Sequence, residues 1–599
     1  MNKITALIIL SSILSCNSPS QESESQDIDK FFESYLWNTA KHSPQRLTYM
    51  GLYEEDSLYP YNSLLNDASD EFRLKMYALS EKYLDTLQMF ERSSLTEKRQ
   101  VSYDILKWNL ENKIEGKKYM YHGYLVDQMN GVHINFPAFM SEKHQISNKT
   151  DAENYISRLS KIGLKFKQIL DRIKIGEEKK MILPKYLIAQ VLKQMRDFIS
   201  GDIKENILYK SFEKKIAEVE LTEEEKEKLL KKAEQEITNT VFPAYQLLIN
   251  YHVHLDSIAT ENVGVWRFPD GANYYKYVLK TQTSTNLSPE EIHNIGLREA
   301  KRLLNEMEVI LDSMGFVGST FLEKMNKFRA TMRDRSNEQY YYPDTSDVGR
   351  IQILQDYKSI LSDAQRSTAT IFDIVPQTEL KLKRMPKDQE LSVGGYYDAA
   401  SYDGSRPAIV YVNLLRPTLK FTMKGFIYHE AIPGHHYQIA IHRELDNIPR
   451  FRSETYYAGF HEGWACYAQR LALEHHLYTD LPSTLAQLSS EFGRAARIIL
   501  DTGIHYKKWS KQEAMEYISD LYGRYPEYEI DRYIVYPGQA CGYMVGLLKI
   551  LEWREKAKAE LHHKFEIKEF HNTILKNGAM PLDILEKIID RYIEEKKNS

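Results

Sequence analysis

The sequence has little cysteine, no long apolar run and little excess charge, and each shortage excludes a class of protein. Three cysteines, Cys16, Cys466 and Cys541, are too few for a disulfide framework in a chain of 599 residues, so a large core must stabilise the fold. The one extended apolar run, residues 4–14, is too short to cross a bilayer as a helix. The net charge of -5 argues against a polybasic nucleic-acid binder. What remains is an ordinary globular composition.

The N-terminus has the layout of a bacterial signal peptide. Lys3 precedes the apolar run, and residues 13–16 resemble a lipobox, whose cysteine becomes the lipidated first residue of the mature protein. We therefore predict a lipoprotein signal peptide over residues 1–16 with Cys16 lipidated, followed by a flexible tether over 17–27. A signal peptide that is cleaved without lipidation is the alternative. The prediction places the protein in the cell envelope, on the periplasmic side or at the outer-membrane surface, with the bilayer as a partner through Cys16.

Helical patterns dominate the rest of the chain. Apolar residues recur at three- and four-residue spacing over much of residues 29–198. Thr222 is the expected N-cap of a charged, solvent-exposed helix. Ser288, followed by proline and then by glutamate three residues after the cap, predicts a second helix start. These patterns predict a mainly α fold.

The clearest strand signal lies between residues 391 and 415. Two segments rich in Tyr, Val and Ile flank a turn at residues 402–405, which predicts a β-hairpin. After residue 422 the pattern is helical again, with prolines between the helical segments. We predict a mainly helical lobe over residues 28–380 and a catalytic lobe over residues 381–599.

A histidine-glutamate pair, His429-Glu430, begins the segment HEAIPGHHYQ. In zincin motifs two histidines four residues apart face one metal ion, and the glutamate between them acts as general base. Here Pro433 occupies the fourth position and disfavours a regular helix. On a regular helix His436 would share the face of His429, but about 10 Å further along the axis. His435 is the better second ligand if the turn bulges, and both histidines remain candidates.

The third ligand is expected from the segment GFHEGWA, which supplies Glu462. Its separation from His435 suits two antiparallel helices joined by a loop. Three protein ligands leave the fourth position of a zinc ion open for water, which is the arrangement of a catalytic site. Zinc lowers the pKa of that water from about 15.7 to about 7, and Glu430 can then remove its proton. The sequence thus predicts one Zn²⁺ per chain, bound by His429, His435 and Glu462.

These two motifs, followed by DTGIHYKKWS and YPGQACGYMVG, resemble the bacterial family of HEAxPGHH lipoproteins, the domain of unknown function 885, over nearly the whole mature chain. The catalytic segments alone are also similar to gluzincin zinc peptidases such as angiotensin-converting enzyme, which carries an HExGH motif and a downstream GFHEA segment. Aligning the Gly-His pairs puts His435 at the second-ligand position, although the insertion with Pro433 departs from that pattern. The resemblance implies a two-lobed helical gluzincin-like fold, with a deep cleft and a small β-sheet beside the active-site helix.

Further catalytic residues follow from the segment around Gln539. It looks like the GGYxAGYY segment of thimet-oligopeptidase-type enzymes, which implies that Tyr543 and then Tyr533 donate to the oxyanion, and that Gln539 holds the substrate backbone. His505 is a separate candidate for binding the substrate carbonyl. Asp501, four residues earlier on a predicted helix, could orient its imidazole.

The predicted hairpin gains a role from the gluzincin resemblance, because gluzincins pair an edge strand near the metal with extended substrate. Gly394, Gly395 and Tyr396 would then bind substrate, with an ordinary packed hairpin as the alternative. Three arginines could also bind a peptide carboxylate, and the sequence does not select among them: Arg494, Arg497 and Arg532.

Together these motifs predict a zinc metallopeptidase that hydrolyses short peptides with Glu430 as general base, and no nucleic-acid partner. A zinc amidase acting on cell-wall or other non-peptide amides is one alternative, since activated water attacks any such carbonyl. A non-catalytic surface lipoprotein that only holds a ligand is the other. The glutamate beside His429 argues against the second alternative, because a pure metal-binding site needs no general base.

Overall fold

A computed structural model describes residues 21–51, 58–342, 344, 346–385, 390, 394–402, 404–415 and 418–599, with the side chains of 21–25 and 454 left aside. The predicted signal peptide and its Cys16 lie outside these residues. The described chain begins inside the predicted tether, where the first helix starts at Gln21. Among the described residues, no helix is both long enough and apolar enough to cross a bilayer.

The described chain is mainly helical, as predicted. The helices of its first half are α1 (Gln21–Lys41), α2 (Pro44–Met50), α3 (Asp70–Leu87), α4 (Glu97–Glu115), α5 (Val132–Ala138), α6 (Lys149–Glu178), α7 (Lys185–Ile199), α8 (Ile207–Ala217), α9 (Glu223–Glu236), α10 (Phe242–Ile258), α11 (Gly271–Thr283) and α12 (Pro289–Ser313). The helices of its second half are α13 (Phe321–Thr331), α14 (Asp347–Thr368), α15 (Met423–Glu430), α16 (His435–Arg443), α17 (Ala458–Glu474), α18 (Leu481–His505), α19 (Lys511–Tyr522), α20 (Glu527–Val535), α21 (Cys541–Leu561), α22 (Ile567–Leu575) and α23 (Leu582–Asn598).

Both predicted helix starts are confirmed as capping boxes. At the start of α9 the Thr222 hydroxyl accepts from the backbone N–H of Glu225, whose carboxylate accepts in return from the N–H of Thr222. Ser288 and Glu291 make the same pair of bonds at the start of α12. Each box satisfies two backbone donors that the first helical turn would otherwise leave without a partner.

A small three-stranded sheet contains the predicted hairpin. Its strands are β1 (Leu380–Arg384), β2 (Tyr396–Asp398) and β3 (Ala408–Val412), in the spatial order β1-β3-β2. Antiparallel pairing of β2 with β3 confirms the hairpin, although the strands are shorter than the predicted segments. The parallel pairing of β1 with β3 was not predicted. Strand β2 lies at an edge of the sheet, where no other described strand pairs with the outer side of its backbone.

One hydrophobic core connects both halves of the described chain, from Ile28 on α1 to Ile593 on α23. A smaller cluster consists of Ala40, Leu47, Met50 and Leu58. Because the large core includes residues on both sides of residue 380, the division into two lobes at that position stays a prediction.

Two helices that position the candidate site pack through glycines. A Cβ atom on Gly463 of α17 would lie 2.6 Å from the Cα atom of Gly546 on α21. A Cβ atom on Gly546 would lie 1.9 Å from the carbonyl oxygen of Gly459. Since real Cβ atoms do not approach backbone so closely, only glycine permits this contact. The close packing fixes the helix that carries Glu462 against the helix that carries Tyr543.

Candidate metal centre

The proline-glycine turn between α15 and α16 brings two histidine rings together. A Cβ atom on Gly434 would lie 1.9 Å from the carbonyl oxygen of His429, so the turn folds back over the end of α15 in a way that requires glycine. The indole N–H of Trp464 on α17 donates to the carbonyl oxygen of Pro433 at 2.8 Å and holds the turn in place. The rings of His429 and His435 consequently lie with their centroids 4.9 Å apart.

Three buried side chains converge beside this turn. The Nε2 atoms of His429 and His435 lie 3.5 and 3.4 Å from the same oxygen, Oε2 of Glu462. One potential ligand atom from each residue lies within 4.8 Å of the others. His436 points elsewhere, because its Nδ1 atom lies 3.3 Å from the hydroxyl of Tyr397. Of the two histidines that the sequence left open, the structure brings His435 to Glu462.

The geometry of the three side chains fits a zinc ion. Bonds of about 2.0–2.1 Å in a tetrahedral shell separate neighbouring ligand atoms by roughly 3.3 Å, close to the two nitrogen–oxygen distances at Glu462. The Oε2 atom of Glu462 is buried and has no hydrogen-bond partner among the described residues. A buried carboxylate oxygen without a donor is costly unless a cation is bound. Two imidazoles and one carboxylate are also a donor set of catalytic zinc sites.

Two further side chains orient the candidate ligands. Gln469 lies with its Oε1 atom 3.2 Å from Nδ1 of His429, and its amide nitrogen donates to the carbonyl of Gly425. Tyr456 donates its hydroxyl to Oε1 of Glu462 at 2.6 Å. Metal ligands are commonly fixed by such outer hydrogen bonds. Neither residue was predicted from the sequence. Gln469 lies two helical turns after Glu462 on the same face of α17, and that spacing is a signal by which it could have been predicted.

The charges of the three groups are strongly coupled. Burial alone would raise the pKa of Glu462, but the imidazoles of His435 and His429 outweigh it and hold that pKa well below its usual range. Burial alone would lower the pKa of His429, but its contacts with Cys466 and Glu462 raise it to about 10. Glu462 therefore keeps its negative charge at neutral pH, as cation binding requires, and His429 must release its proton when a cation binds.

Glu430 lies next to the cluster without belonging to it. It ends α15, and its Oε2 atom accepts from the backbone N–H of Tyr397 on the edge strand β2 at 3.1 Å. Glu430 and His429 both line a cavity of 480 Å³, within the range of about 300–1,000 Å³ that small-ligand sites occupy. A carboxylate thus faces a cavity beside the candidate ligands, where a general base would have to lie.

Of the three residues predicted to bind substrate in the hairpin, Gly395 and Tyr396 are packed against other side chains, and Gly394 is not. A Cβ atom on Gly395 would lie 2.4 Å from the ring of Phe426, so this glycine permits close packing of β2 on α15. Gly394 has open space around it. Tyr396 begins β2 and packs on Tyr411 of β3, with ring centroids 5.2 Å apart. The edge strand therefore lies beside Glu430, while its first tyrosine packs within the sheet.

Tyr543 lies beside the cluster, whereas Gln539 is held by an arginine. Burial, and after it the negative charge of Glu462, raise the pKa of Tyr543. Its hydroxyl accepts from Nη2 of Arg532 at 3.2 Å. The same nitrogen donates to Oε1 of Gln539 at 2.7 Å. Gln539 could reach substrate only through its remaining amide group or by exchanging this partner.

Two residues predicted to be catalytic have structural roles instead. Tyr533 has no exposed surface, and its hydroxyl bonds to Tyr525 and to Glu529. His505 is buried with both ring nitrogens engaged by backbone: Nε2 lies 2.9 Å from the carbonyl of Tyr533, and Nδ1 accepts from the N–H of Val265. Described residues already engage the polar atoms of both side chains, so the structure places Tyr533 and His505 in the core and gives no support to their predicted catalytic role.

The predicted pairing of Asp501 with His505 is also absent. The Asp501 carboxylate accepts from the hydroxyl of Tyr275 at 2.6 Å and from the backbone N–H of Gly538 at 2.9 and 3.0 Å. These bonds attach α18 to α11 and to the turn before α21. Asp501 therefore stabilises the packing of helices and does not orient a catalytic imidazole.

Comparisons with known proteins identify a family and two structural relatives. The family described as "Bacterial protein of unknown function (DUF885)" matches residues 44–589. A crystal structure from Colwellia psychrerythraea is 29% identical, covers 96% of this chain and 100% of its own, and superposes with a TM-score of 0.89. A structure from Shewanella oneidensis is 16% identical, also covers 96% of this chain and 100% of its own, and superposes with a TM-score of 0.70. Both are called a "putative lipoprotein", the second of unknown function. No curated protein compared with the chain matches it.

Proposed function

The chain belongs to DUF885, a family of bacterial proteins of unknown function, and we propose that it is a zinc-dependent hydrolase of peptide bonds in short peptides. The observation that carries the proposal is the convergence of His429, His435 and Glu462 next to Glu430. Of these four residues, His429 and Glu430 line one cavity. A site that only stored metal would have no use for a carboxylate in that position.

Each side chain has one role in the proposed reaction. His429, His435 and Glu462 would hold the zinc ion, which supplies an acidified water and polarises the substrate carbonyl. Glu430 would accept a proton from the attacking water and pass it to the departing nitrogen. Hydroxide joins the carbonyl carbon and the carbon–nitrogen bond breaks, so the products are a carboxylic acid and an amine. Tyr543 is the proposed donor to the oxyanion, since it lies near Glu462.

The surroundings support a peptide as the substrate. Strand β2 is an edge strand, and the N–H of its Tyr397 already donates to Glu430. An extended peptide could add to this edge through backbone hydrogen bonds and pass over the general base. We extend the proposal to a gluzincin-like architecture, in which a helical lobe and a catalytic lobe flank a deep cleft that admits peptides and excludes folded proteins.

We also propose that the protein is a lipoprotein of the cell envelope, anchored through Cys16. The lipobox-like segment and the lipoprotein description of the Colwellia psychrerythraea relative support this location. Metabolic labelling with a palmitate analogue tests it: the wild-type chain should be labelled and the Cys16→Ala chain should not. Labelling that survives this substitution would contradict the anchor.

The decisive experiment on the reaction changes Glu430→Gln, which keeps the shape of the side chain and removes the base. We expect zinc binding to persist while peptide hydrolysis falls by about 10²–10⁴-fold. The matched control is Glu566→Gln, at an exposed glutamate before α22, which should leave hydrolysis unchanged. If Glu430→Gln retains full activity with zinc bound, the proposed mechanism is wrong. Assaying short peptides beside cell-wall fragments separates a peptidase from an amidase.

A further inference from the structure

Three arginines surround one tyrosine ring near the candidate metal centre. The guanidinium carbons of Arg494, Arg497 and Arg532 lie 5.2, 4.7 and 5.9 Å from the ring centroid of Tyr543. Two of them come from α18 and the third from α20. Arg494 also lines the cavity that the candidate ligand His429 lines. The arginine cluster therefore adjoins the candidate metal ligands.

A single carboxylate forms ion pairs with two of these arginines. Glu529 lies 3.4 Å from Arg497 and 3.7 Å from Arg532. Arg532 is further held by its bonds to Gln539 and to the hydroxyl of Tyr543. Three guanidinium groups with one carboxylate leave an excess positive charge in a largely buried place. Such an excess favours the binding of an anion.

Arg494 differs from the other two because it has neither a hydrogen bond nor an ion pair with any residue that the structure describes. Its Nε atom is buried and has no hydrogen-bond partner within the described part of the chain, whereas Arg497 is ion-paired. A buried guanidinium N–H without an acceptor destabilises the folded protein, because the guanidinium group stays protonated and charged. The position favours a ligand that brings its own negative oxygens.

The cavity that Arg494 lines is the one that His429 and Glu430 also line. Among its described lining residues Arg494 is the only lysine or arginine, and Glu430 is the only acid. The rest are aromatic, amide, hydroxyl and small side chains. One space of 480 Å³ thus holds the proposed general base at one place and, at another, a cation that forms no ion pair with the described residues. A small peptide that contacts both would be oriented by its charge.

We propose that Arg494 binds the C-terminal carboxylate of the substrate, so that the enzyme removes residues from the C-terminal end of short peptides. This inference rests on the proposed function and deepens it. A guanidinium binds a carboxylate through two parallel N–H···O bonds, which fixes both the position and the direction of the peptide. Arg497 and Arg532, which Glu529 partly neutralises, support the positive field. The amide bond presented to Glu430 is then upstream of the bound carboxylate.

Hydrolysis of matched peptides tests the proposal on the full-length zinc-loaded protein. The probes are a short alanine peptide with a free C-terminal carboxylate, the same peptide with a C-terminal amide, and an amidated peptide that carries one aspartate. We expect the free acid to be cleaved with a kcat/KM about 10- to 100-fold above that of the amide, as the loss of a charge-assisted hydrogen bond implies. In Arg494→Gln this preference should disappear, mainly through a higher KM for the free acid.

The control variant is Arg329→Gln. Arg329 also lies over a tyrosine ring, that of Tyr522 at 4.5 Å, but it does not line the cavity. It should keep the preference for the free acid. Equal cleavage of acid and amide by the wild-type protein, or an unchanged preference in Arg494→Gln, would overturn the proposal. So would an aspartate-bearing amide that is cleaved as well as the free acid, because the recognised group would then be a side chain.

A binding measurement separates failure of this inference from failure of the proposed function. Calorimetry with zinc-loaded Glu430→Gln protein needs no turnover. If the free acid binds about 10-fold or more tightly than the amide, and Arg494→Gln removes the difference, Arg494 binds the carboxylate even if no peptide is ever hydrolysed. If both peptides bind equally, the carboxylate assignment is wrong even where hydrolysis is observed.

Discussion

The Nε2 atom of His435 lies 3.4 Å from Oε2 of Glu462, while the adjacent His436 contacts the hydroxyl of Tyr397. Neighbouring imidazoles therefore face different partners, although both follow the same proline-glycine turn. The first residue of α16 faces the candidate metal centre, and the second faces the edge strand. This difference gives a test in which two nearly identical substitutions have opposite outcomes.

We expect His435→Gln to lose zinc and His436→Gln to retain it. Removing a ligand should weaken zinc binding by more than the 10–100-fold that loss of an outer hydrogen bond causes. The measurement is the zinc content of each purified variant after dialysis against a weak chelator. Zinc loss in His436→Gln with full retention in His435→Gln would contradict the assigned ligand set.

Tyr456→Phe should weaken metal binding without unfolding the protein. Its hydroxyl donates to Oε1 of Glu462 at 2.6 Å, and the change removes only that bond. We expect zinc affinity to fall by about 10–100-fold, as for other outer hydrogen bonds to metal ligands. Titration against a competing zinc chelator measures it. The control is Tyr506→Phe, at a half-exposed tyrosine after α18, which should leave the affinity unchanged.

The local and motif-based predictions agree best with the structure. The capping boxes at Thr222 and Ser288 depend on residues three positions apart, and both are present. The motifs predicted that His429, His435 and Glu462 meet at one point, since residues that share a metal ion must do so, and their side chains do converge. Their role in holding zinc stays a prediction until metal is measured.

Predictions that required knowledge of helix faces were less successful. The four-residue spacing of Asp501 and His505 suggested a pair, but each side chain bonds to backbone from another segment. Tyr533 was assigned from the likeness of its segment, yet α20 turns this side chain into the core. Strand β1 was missed because a short Leu-Lys alternation carries no sign of its parallel partner far along the chain. Tertiary packing determines the partners of Asp501 and His505, the orientation of Tyr533 and the pairing of β1. The spacing of residues along the sequence does not encode that packing.

Gly546→Ala should damage both stability and the metal site. The added methyl group would lie 1.9 Å from the carbonyl oxygen of Gly459, so α21 must move away from α17. Overpacking of this kind costs about 1–3 kcal/mol, and the shift would displace Glu462 from the histidines. We expect a lower thermal midpoint together with reduced zinc content.

Gly493→Ala is the matched control for that substitution. It adds the same methyl group inside α18, where, apart from its chain neighbours and the backbone of its own helix, no described atom lies within 4 Å of the added position. Alanine is favoured over glycine inside a helix by roughly 0.5–1 kcal/mol, so this variant should be slightly more stable and bind zinc normally. If both variants behave alike, contact between α17 and α21 does not control the site.

The pH dependence of stability tests the structural role assigned to His505. Burial lowers the pKa of this imidazole to about 4, whereas an unfolded histidine titrates near 6.5. Between these values the unfolded chain binds a proton that the folded chain excludes, so stability falls as the pH decreases. From pH 7 to pH 5 the loss of folding stability due to His505 is about 2 kcal/mol.

In His505→Gln the drop in the free energy of unfolding between pH 7 and pH 5 should be smaller by about 2 kcal/mol, as measured by denaturant titration. His563→Gln, at an exposed position, should reproduce the wild-type drop. An unchanged drop in His505→Gln would mean that the imidazole is not held neutral in the core.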